Sequence, residues 1–207
     1  MDEPARPGTG RRRPTVVLVT GAPGSGKTTL ARLLSAELRL PFLGRDQVRG
    51  GLSFTAGAWS PAMDRVPPAD EATETFLRLV EAAASHGVSC VAEYVVRSAP
   101  SGPLDRLRAV ADCRVVLTVC DGAVDRFAAR NRADRFLANR AVLTALGMAD
   151  AEAHTAAAVP RMQAVEAALR TTFPVPTLRV ETTDGYRPDL ERIIEFATAA
   201  ATDADHD

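Results

Sequence analysis

Gly21-Ala22-Pro23-Gly24-Ser25-Gly26-Lys27-Thr28-Thr29 is the stretch from which the rest of this chain can be read. It fits G-x-x-x-x-G-K-[ST] through Gly21, Gly26, Lys27 and Thr28, between an apolar run at Val16 to Val19 and a helical pattern that begins at Lys27. A glycine-rich turn in that setting lets backbone N–H groups converge on phosphate oxygens, while the next helix points its positive end at the same anion. Composition supports this independently: of the 25 lysine and arginine residues, only Lys27 is lysine. A compact ammonium on a flexible stem follows β- and γ-phosphates better than a planar guanidinium fork does.

Outward from this stretch, Thr15 to Thr20 is a β-branched run expected of a strand buried on both faces, and Leu30, Leu33, Leu34 and Leu38 mark a helix over 27–40. Phe42 and Leu43 give a short second strand. Residues 50–68, with Gly50, Gly51, Gly57, Pro61, Pro67 and Pro68, read as a loop or broken helix carrying Phe54, Trp59 and Met63. Then follow a helix over 69–86, a strand over 88–96, a helix over 104–111 and a strand over 114–120. A basic helical run comes next, with Arg126, Arg130, Arg132, Arg135 and Arg140. Helical pieces span 141–172, with Pro160 beginning or interrupting one of them. A strand over 177–181, a turn over 182–185 and a helix over 188–201 complete the pattern. Alternating strands and helices imply an α/β fold, a parallel sheet with right-handed crossovers covered on both faces. The expected organisation is a disordered leader over 1–14, one domain over 15–201 with a lid at about 126–150, and an acidic tail over 202–207.

At 207 residues, 46% hydrophobic and 25% charged, the chain is an ordinary globular one, and its net charge of −1 and pI near 6.3 argue against a nucleic-acid-coating surface. Cys90, Cys113 and Cys120 lie in apolar runs whose spacing suggests neither a disulfide framework nor a zinc site, which points to a reducing, cytoplasmic location. No apolar stretch is long enough to span a membrane. The expected partner is a small-molecule hydroxyl acceptor, with no membrane and no nucleic acid; a homodimer is the assembly left open.

A phosphate cradle serves kinases, ATPases and GTPases alike. Guanine recognition of the N-K-x-D kind is excluded because the sole lysine is in the loop, and a large motor ATPase would need further domains. A compact ATP- and Mg2+-dependent kinase for a small hydroxyl acceptor fits best, ahead of a nucleoside or nucleic-acid 5′-hydroxyl kinase and of an ATP-binding regulatory or toxin-like protein. In that reading residues Gly21, Ala22, Pro23, Gly24, Ser25, Gly26, Lys27, Thr28 and Thr29 bind the nucleotide, with Lys27 on the β/γ-phosphates and the Thr28 hydroxyl on Mg2+. Asp46 follows the second strand and is the candidate general base, its alternative being the N-cap of a helix. Glu93 closes an apolar strand and is the second candidate metal or acceptor residue; Asp121 competes for the metal but reads better as a helix cap. Arg126, Arg130 and Arg135, with Arg132 behind them, are candidates for nucleotide contact and for a lid that closes on the transferring phosphoryl. Arg49, Trp59 and Arg97 are candidate acceptor contacts, although Trp59 could equally pack its loop. His86 and His154 read as helix-end or surface residues.

GAPGSGKTT, FLGRDQVRGGL, VAEYVVR, CDGAVDRFAARNRADR and VETTDGY, in this order and spacing, resemble the small P-loop kinases related to chloramphenicol phosphotransferase and, more distantly, to zeta toxins and shikimate or gluconate kinases. The resemblance spans about Thr15 to Ala200. It implies a three-layer α/β/α P-loop NTPase with a five-stranded parallel sheet and a helical lid. It also implies a base at Asp46, lid arginines near Arg130 to Arg135, and an adenine-contacting turn near Thr182 to Tyr186 that includes Thr183. The acceptor it leaves open; an antibiotic or other natural product is compatible with it.

Overall fold

Thr15–Gly21 forms β1, and its side chains alternate between two cores: Val16 and Leu18 face one, Val17 and Val19 the other, all at most 2% exposed. That alternation places a strand in the middle of a three-layer molecule. The computed structural model describes residues 12–55, 69–96, 102–130, 151–169 and 172–199. In chain order the further elements are α1 (Lys27–Leu38), β2 (Phe42–Gly44), α2 (Arg45–Thr55), α3 (Ala69–Ser85), β3 (Cys90–Glu93), α4 (Pro103–Val110), β4 (Asp112–Val119), α5 (Ala123–Arg130), α6 (Ala151–Ala167), β5 (Thr177–Glu181) and α7 (Leu190–Thr198).

The five strands pair in parallel in the order β2-β3-β1-β4-β5. One core joins Val16, Leu18, Cys90, Ala92, Val115 and Leu117 to Phe76 and Val80 of α3 and Leu104 and Leu107 of α4. The other joins Val17, Val19, Val91, Val116 and Val180 to Leu30 and Leu34 of α1 and Ile193 and Ala197 of α7. Phe76 is fully buried, so its truncation to alanine would cost about 3–5 kcal/mol. Arg114 points to the α7 side of β4, donating to the carbonyls of Phe196 (3.2 Å) and Ala199 (2.7 Å), where its charge meets the negative end of that helix. Its Nε is the one buried side-chain polar atom without a partner among the described residues.

The ends of the elements follow local chemistry. Arg39 takes a left-handed conformation (φ 52°), and its N–H and that of Leu40 return to the carbonyls of Ala36 and Ser35, which stops α1 before Pro41. Gly87 (φ 77°) ends the turn after α3, and Asp189 caps α7 by accepting from Arg192 N at 2.9 Å.

Several expectations change. The loop or broken helix expected over 50–68 is helical at its start: α2 runs through Gly50 and Gly51 to Thr55, and Val48 packs against the core that holds Phe76 and Val80 of α3, which offsets two helix-weakening glycines. Residues 56–68 lie outside the described residues. Pro160 neither begins nor breaks a helix but sits inside α6, which ends at Ala167, short of 172. The third strand is the four residues of β3, shorter than 88–96. Of the expected leader, Arg12 donates to the Ala199 carbonyl (3.0 Å), Arg13 to the Arg108 carbonyl, and the Pro14 carbonyl accepts from Asp112 N (2.8 Å). These residues therefore lie against the C-terminal ends of α7 and α4; residues 1–11, the tail over 202–207 and the lid beyond Arg130 up to 150 lie outside the described residues. Among the described residues no helix is long and apolar enough to cross a membrane.

Candidate active site

The C-terminal ends of the strands place the candidate residues in one row. Glu93 pairs with Val19 on one side and Gly44 on the other, so the ends of β1, β3 and β2 stand side by side, with Arg45 and Asp46 directly after Gly44. In an open parallel sheet this edge is where ligands bind, beside the strand from which the connections part in opposite directions.

The loop from Gly21 to Gly26 leaves β1 along a path only glycine can follow. Gly24 has φ +86°, and a Cβ there would overlap the Ala123 carbonyl of α5; Gly21, at φ +147°, would collide with Thr118. Hydroxyls hold the loop from behind. Thr118 Oγ1 donates to the Thr20 carbonyl (3.0 Å), which leaves Ser25 Oγ to donate to Thr118 Oγ1 (2.7 Å). The Thr182 hydroxyl, just past β5, reaches the Ser25 carbonyl at 2.8 Å. Thr20, Ser25, Thr118 and Thr182 are all buried, so each bond is made where its loss would leave an unsatisfied polar group. The loop is thus braced from β1, β4 and the turn after β5 before any anion arrives.

Lys27 opens α1 behind Gly26, which sits in the left-handed region (φ 80°). Its side chain is 8% exposed, and Nζ donates back across the loop to the Ala22 carbonyl at 3.0 Å. A cation folded over a glycine-rich loop at the N-terminus of a helix is an arrangement suited to a polyphosphate. Thr28 Oγ1 donates to Glu93 Oε2 at 3.2 Å, and Glu93 is 7% exposed. A hydroxyl and a carboxylate are the hard oxygen donors Mg2+ accepts, sparse enough to leave positions for water and phosphate, so the residues present fit that ion. Thr29 is exposed on α1.

On the β2 side, Asp46 lies inside the first turn of α2, not ahead of it, so the alternative of an N-cap is not what the backbone provides. Its exposed carboxylate accepts from Arg45 Nη1 at 3.1 Å, while the largely buried Arg45 also donates through Nε to Thr73 Oγ1 of α3 (3.3 Å). Arg49 follows one turn later and shares a face with Asp46.

On the opposite side, Arg126 of α5 donates to the carbonyls of Thr182 (Nη1, 3.1 Å) and Thr183 (Nη2, 2.8 Å). Glu181 Oε1 accepts from both backbone N–H groups of that pair at 3.0 Å and from the Thr183 hydroxyl. The Thr183 hydroxyl bond, followed by the backbone N–H bonds, holds the Glu181 carboxyl below its ordinary value. Asp121 is not the helix cap expected: the Gly122 carbonyl already accepts the first helical bond, from Arg126 N at 3.0 Å. Asp121 instead donates its N–H to Thr183 Oγ1 at 3.0 Å.

The structure therefore brings Lys27, Thr28 and Glu93 together, and Arg126 with Thr183, and sets Asp46 and Arg49 on one helix face at the same sheet edge. Arg130 is the last residue of α5; Trp59, Arg97, Arg132 and Arg135 lie outside the described residues. Sequence reading missed Ser25 as an anchor and missed Thr20, Thr118 and Glu181. A threonine in a strand reads as a β-branched core residue, and nothing local shows that its hydroxyl meets a loop 93 positions away. Cys90 and Cys113 are free and buried, and burial pushes their thiols up to about 11 and about 12, which makes them inert. His86 Nδ1 lies 2.8 Å from the Ala82 carbonyl at the end of α3, a helix-end position.

Three comparisons bear on this geometry. The family model described as "AAA domain" matches residues 16–149. Among solved structures, a "putative kinase" from Chloroflexus aurantiacus is similar over 92% of this chain and 100% of its own, at 22% identity and a TM-score of 0.63. A sugar kinase from Janibacter sp. is similar over 90% of this chain and 94% of its own, at 19% identity and a TM-score of 0.50. At these identities the two structures speak to the fold, which they share. No curated protein matches the chain.

Proposed function

The chain belongs to the AAA domain family, and we propose that it is an ATP- and Mg2+-dependent phosphotransferase that moves the γ-phosphoryl group to a hydroxyl of a small molecule. The observation that carries this reading is the convergence of Lys27, Thr28 and Glu93 at the ends of β1 and β3, one strand from Asp46. The loop N–H groups and Lys27 would bind the β- and γ-phosphates, with Lys27 exchanging the Ala22 carbonyl for phosphate oxygen. Thr28 and Glu93 would hold Mg2+, directly or through water; when bound, the ion neutralises charge that builds on the phosphates.

Asp46 would accept the hydroxyl proton as the acceptor oxygen attacks, and Arg49 would orient the acceptor on the same helix face. A pure nucleotide switch needs neither group. Arg130 and Arg135 are assigned to the transferring phosphoryl, where a guanidinium fork stabilises spread-out charge. Within this class the motif order favours the small kinases that resemble chloramphenicol phosphotransferase, with an acceptor of natural-product size.

The test is transfer of labelled γ-phosphate from ATP to a panel of hydroxyl compounds: sugars, sugar acids, nucleosides and phenicol antibiotics. Wild-type chain should label at least one of them, and Lys27→Ala should label none while melting as a folded protein. Equal labelling by the variant would remove the loop from the reaction.

A further inference from the structure

The peptide joining Ser25 to Gly26 lies within the phosphate loop and is trans, so its carbonyl and its N–H point in opposite directions. The carbonyl is turned toward the buried Thr182 hydroxyl, which stands 2.8 Å from it. The same hydroxyl is 3.0 Å from the Val119 carbonyl, and it has one proton to give. Val119 already accepts from Thr182 N at 2.8 Å, whereas the Ser25 carbonyl takes no other bond among the described residues. The proton therefore goes to Ser25. With the carbonyl held toward the end of β5, the Gly26 N–H is aimed the other way, at the head of α1, and makes no bond among the described residues. An N–H fixed in that direction is one of the donors a phosphate needs.

The glycine leaves this orientation open. Turning the peptide over changes ψ of Ser25 and φ of Gly26 together, and glycine populates both signs of φ about as readily. A Cβ at Gly26 would meet only Thr182, at 3.9 Å, an ordinary contact, so residue 26 is glycine for its angle (φ +80°) and not for want of space. Gly21 and Gly24, by contrast, are shut in by Thr118 and Ala123. Turned over, the peptide would present the Ser25 carbonyl where the N–H now points, an acceptor facing an anion. The Ser25 side chain, bonded to Thr118 Oγ1 at 2.7 Å, anchors the residue but does not fix the plane of the peptide that follows it. The Thr182 hydroxyl does.

We propose that Thr182 is a positioning residue for the phosphates: its hydroxyl locks the peptide between Ser25 and Gly26 with the N–H toward the anion, so that a residue 157 positions from Ser25 decides whether one donor of the cradle is in place. The proposal rests on the phosphate-binding reading of the loop and adds to it the group that orients one of its donors.

Calorimetric titration of the full chain with MgATP and with inorganic tripolyphosphate tests it without any acceptor. Thr182→Val, which keeps the shape and loses the proton, should weaken both ligands by about fivefold or more, since the misdirected donor lies under the phosphates they share. Thr182→Ser, which keeps the hydroxyl, should recover most of that loss. Ser35→Ala controls for stability alone: it removes a hydroxyl bond to the Leu40 carbonyl (2.6 Å) at the other end of α1, and should lower the melting temperature while leaving both affinities unchanged. A loss below about fivefold in folded Thr182→Val overturns the proposal, as does a serine variant that binds no better than the valine one, or an equal loss in Ser35→Ala. A loss confined to MgATP also overturns it, because Thr182 would then act on the nucleoside and not on the phosphates. If the valine variant does not fold, the Gly26 amide resonance of wild type decides: it should move downfield as tripolyphosphate binds, and an unmoved resonance overturns the proposal. Binding of neither ligand to folded wild type overturns the phosphate-binding reading itself, which a neutral Thr182 variant would leave intact.

Discussion

Thr28 Oγ1 and Glu93 Oε2 stand 3.2 Å apart, joining the first turn of α1 to the last residue of β3. Sixty-five positions separate the two in the chain. Their meeting follows from β1 and β3 being hydrogen-bonded neighbours with Val19 opposite Glu93.

Glu93→Gln keeps an oxygen that can accept from Thr28 but removes the negative charge. If the pair holds Mg2+, the variant should need about 10–100-fold more Mg2+ to reach half-maximal MgATP-dependent turnover, with thermal melting nearly unchanged. A lowered melting temperature with an unaltered Mg2+ requirement would make Glu93 a buried structural acid instead.

Asp46→Asn preserves side-chain size in the first turn of α2 and keeps an acceptor for Arg45 while removing the base. Single-turnover transfer should fall about 10²–10⁴-fold with ATP affinity intact. Since phosphoryl transfer has a loose transition state that asks little of a base, a fall below about tenfold would leave Asp46 a positioning group. Unchanged transfer with unchanged melting would remove it from the site.

Gly24→Ala adds a Cβ where the Ala123 carbonyl already sits and at a φ of +86°. Strain of about 1–3 kcal/mol should lower the melting temperature by several degrees, and ATP affinity should fall as the loop is pushed off α5. Gly51→Ala is the matched control: it lies in α2 with nothing within 4 Å of the added carbon, and should be neutral or stabilising by about 0.5–1 kcal/mol. Equal behaviour of the two variants in melting and ATP titration would show that the close approach of loop and α5 does not constrain the protein.

Glu181 has its carboxyl held low by the Thr183 hydroxyl and then by the N–H groups of Thr183 and Thr182. A folded value below the unfolded one means that its stabilisation is fully present above the unfolded pKa and is lost as pH falls through the folded one. The melting difference between wild type and Glu181→Gln should therefore be constant above about pH 5 and shrink at more acid pH. A difference that does not change across that range would show that the carboxylate charge contributes nothing.

Much of this protein was determined by sequence alone. The β-branched run before Gly21, the lone lysine at 27 and the alternation of strand and helix specify an α/β phosphate-loop fold, because periodicity and turn chemistry act over a few residues and are legible one segment at a time. Asp46 and Glu93 were singled out as candidates the same way, as carboxylates after and at the end of apolar runs. Local pattern misled where tertiary contact outweighed propensity, as in α2, which stays helical through Gly50 and Gly51 against α3, and in α6, which continues through Pro160. Only the tertiary structure decided strand order, and with it that Glu93 faces Thr28, that Thr118 and Thr182 brace the loop from 93 and 157 positions away, and that Arg126 closes on Thr182 and Thr183. These contacts depend on which strands lie side by side, and that is settled by how two cores fill the faces of one sheet, a property of the whole chain that no single segment carries.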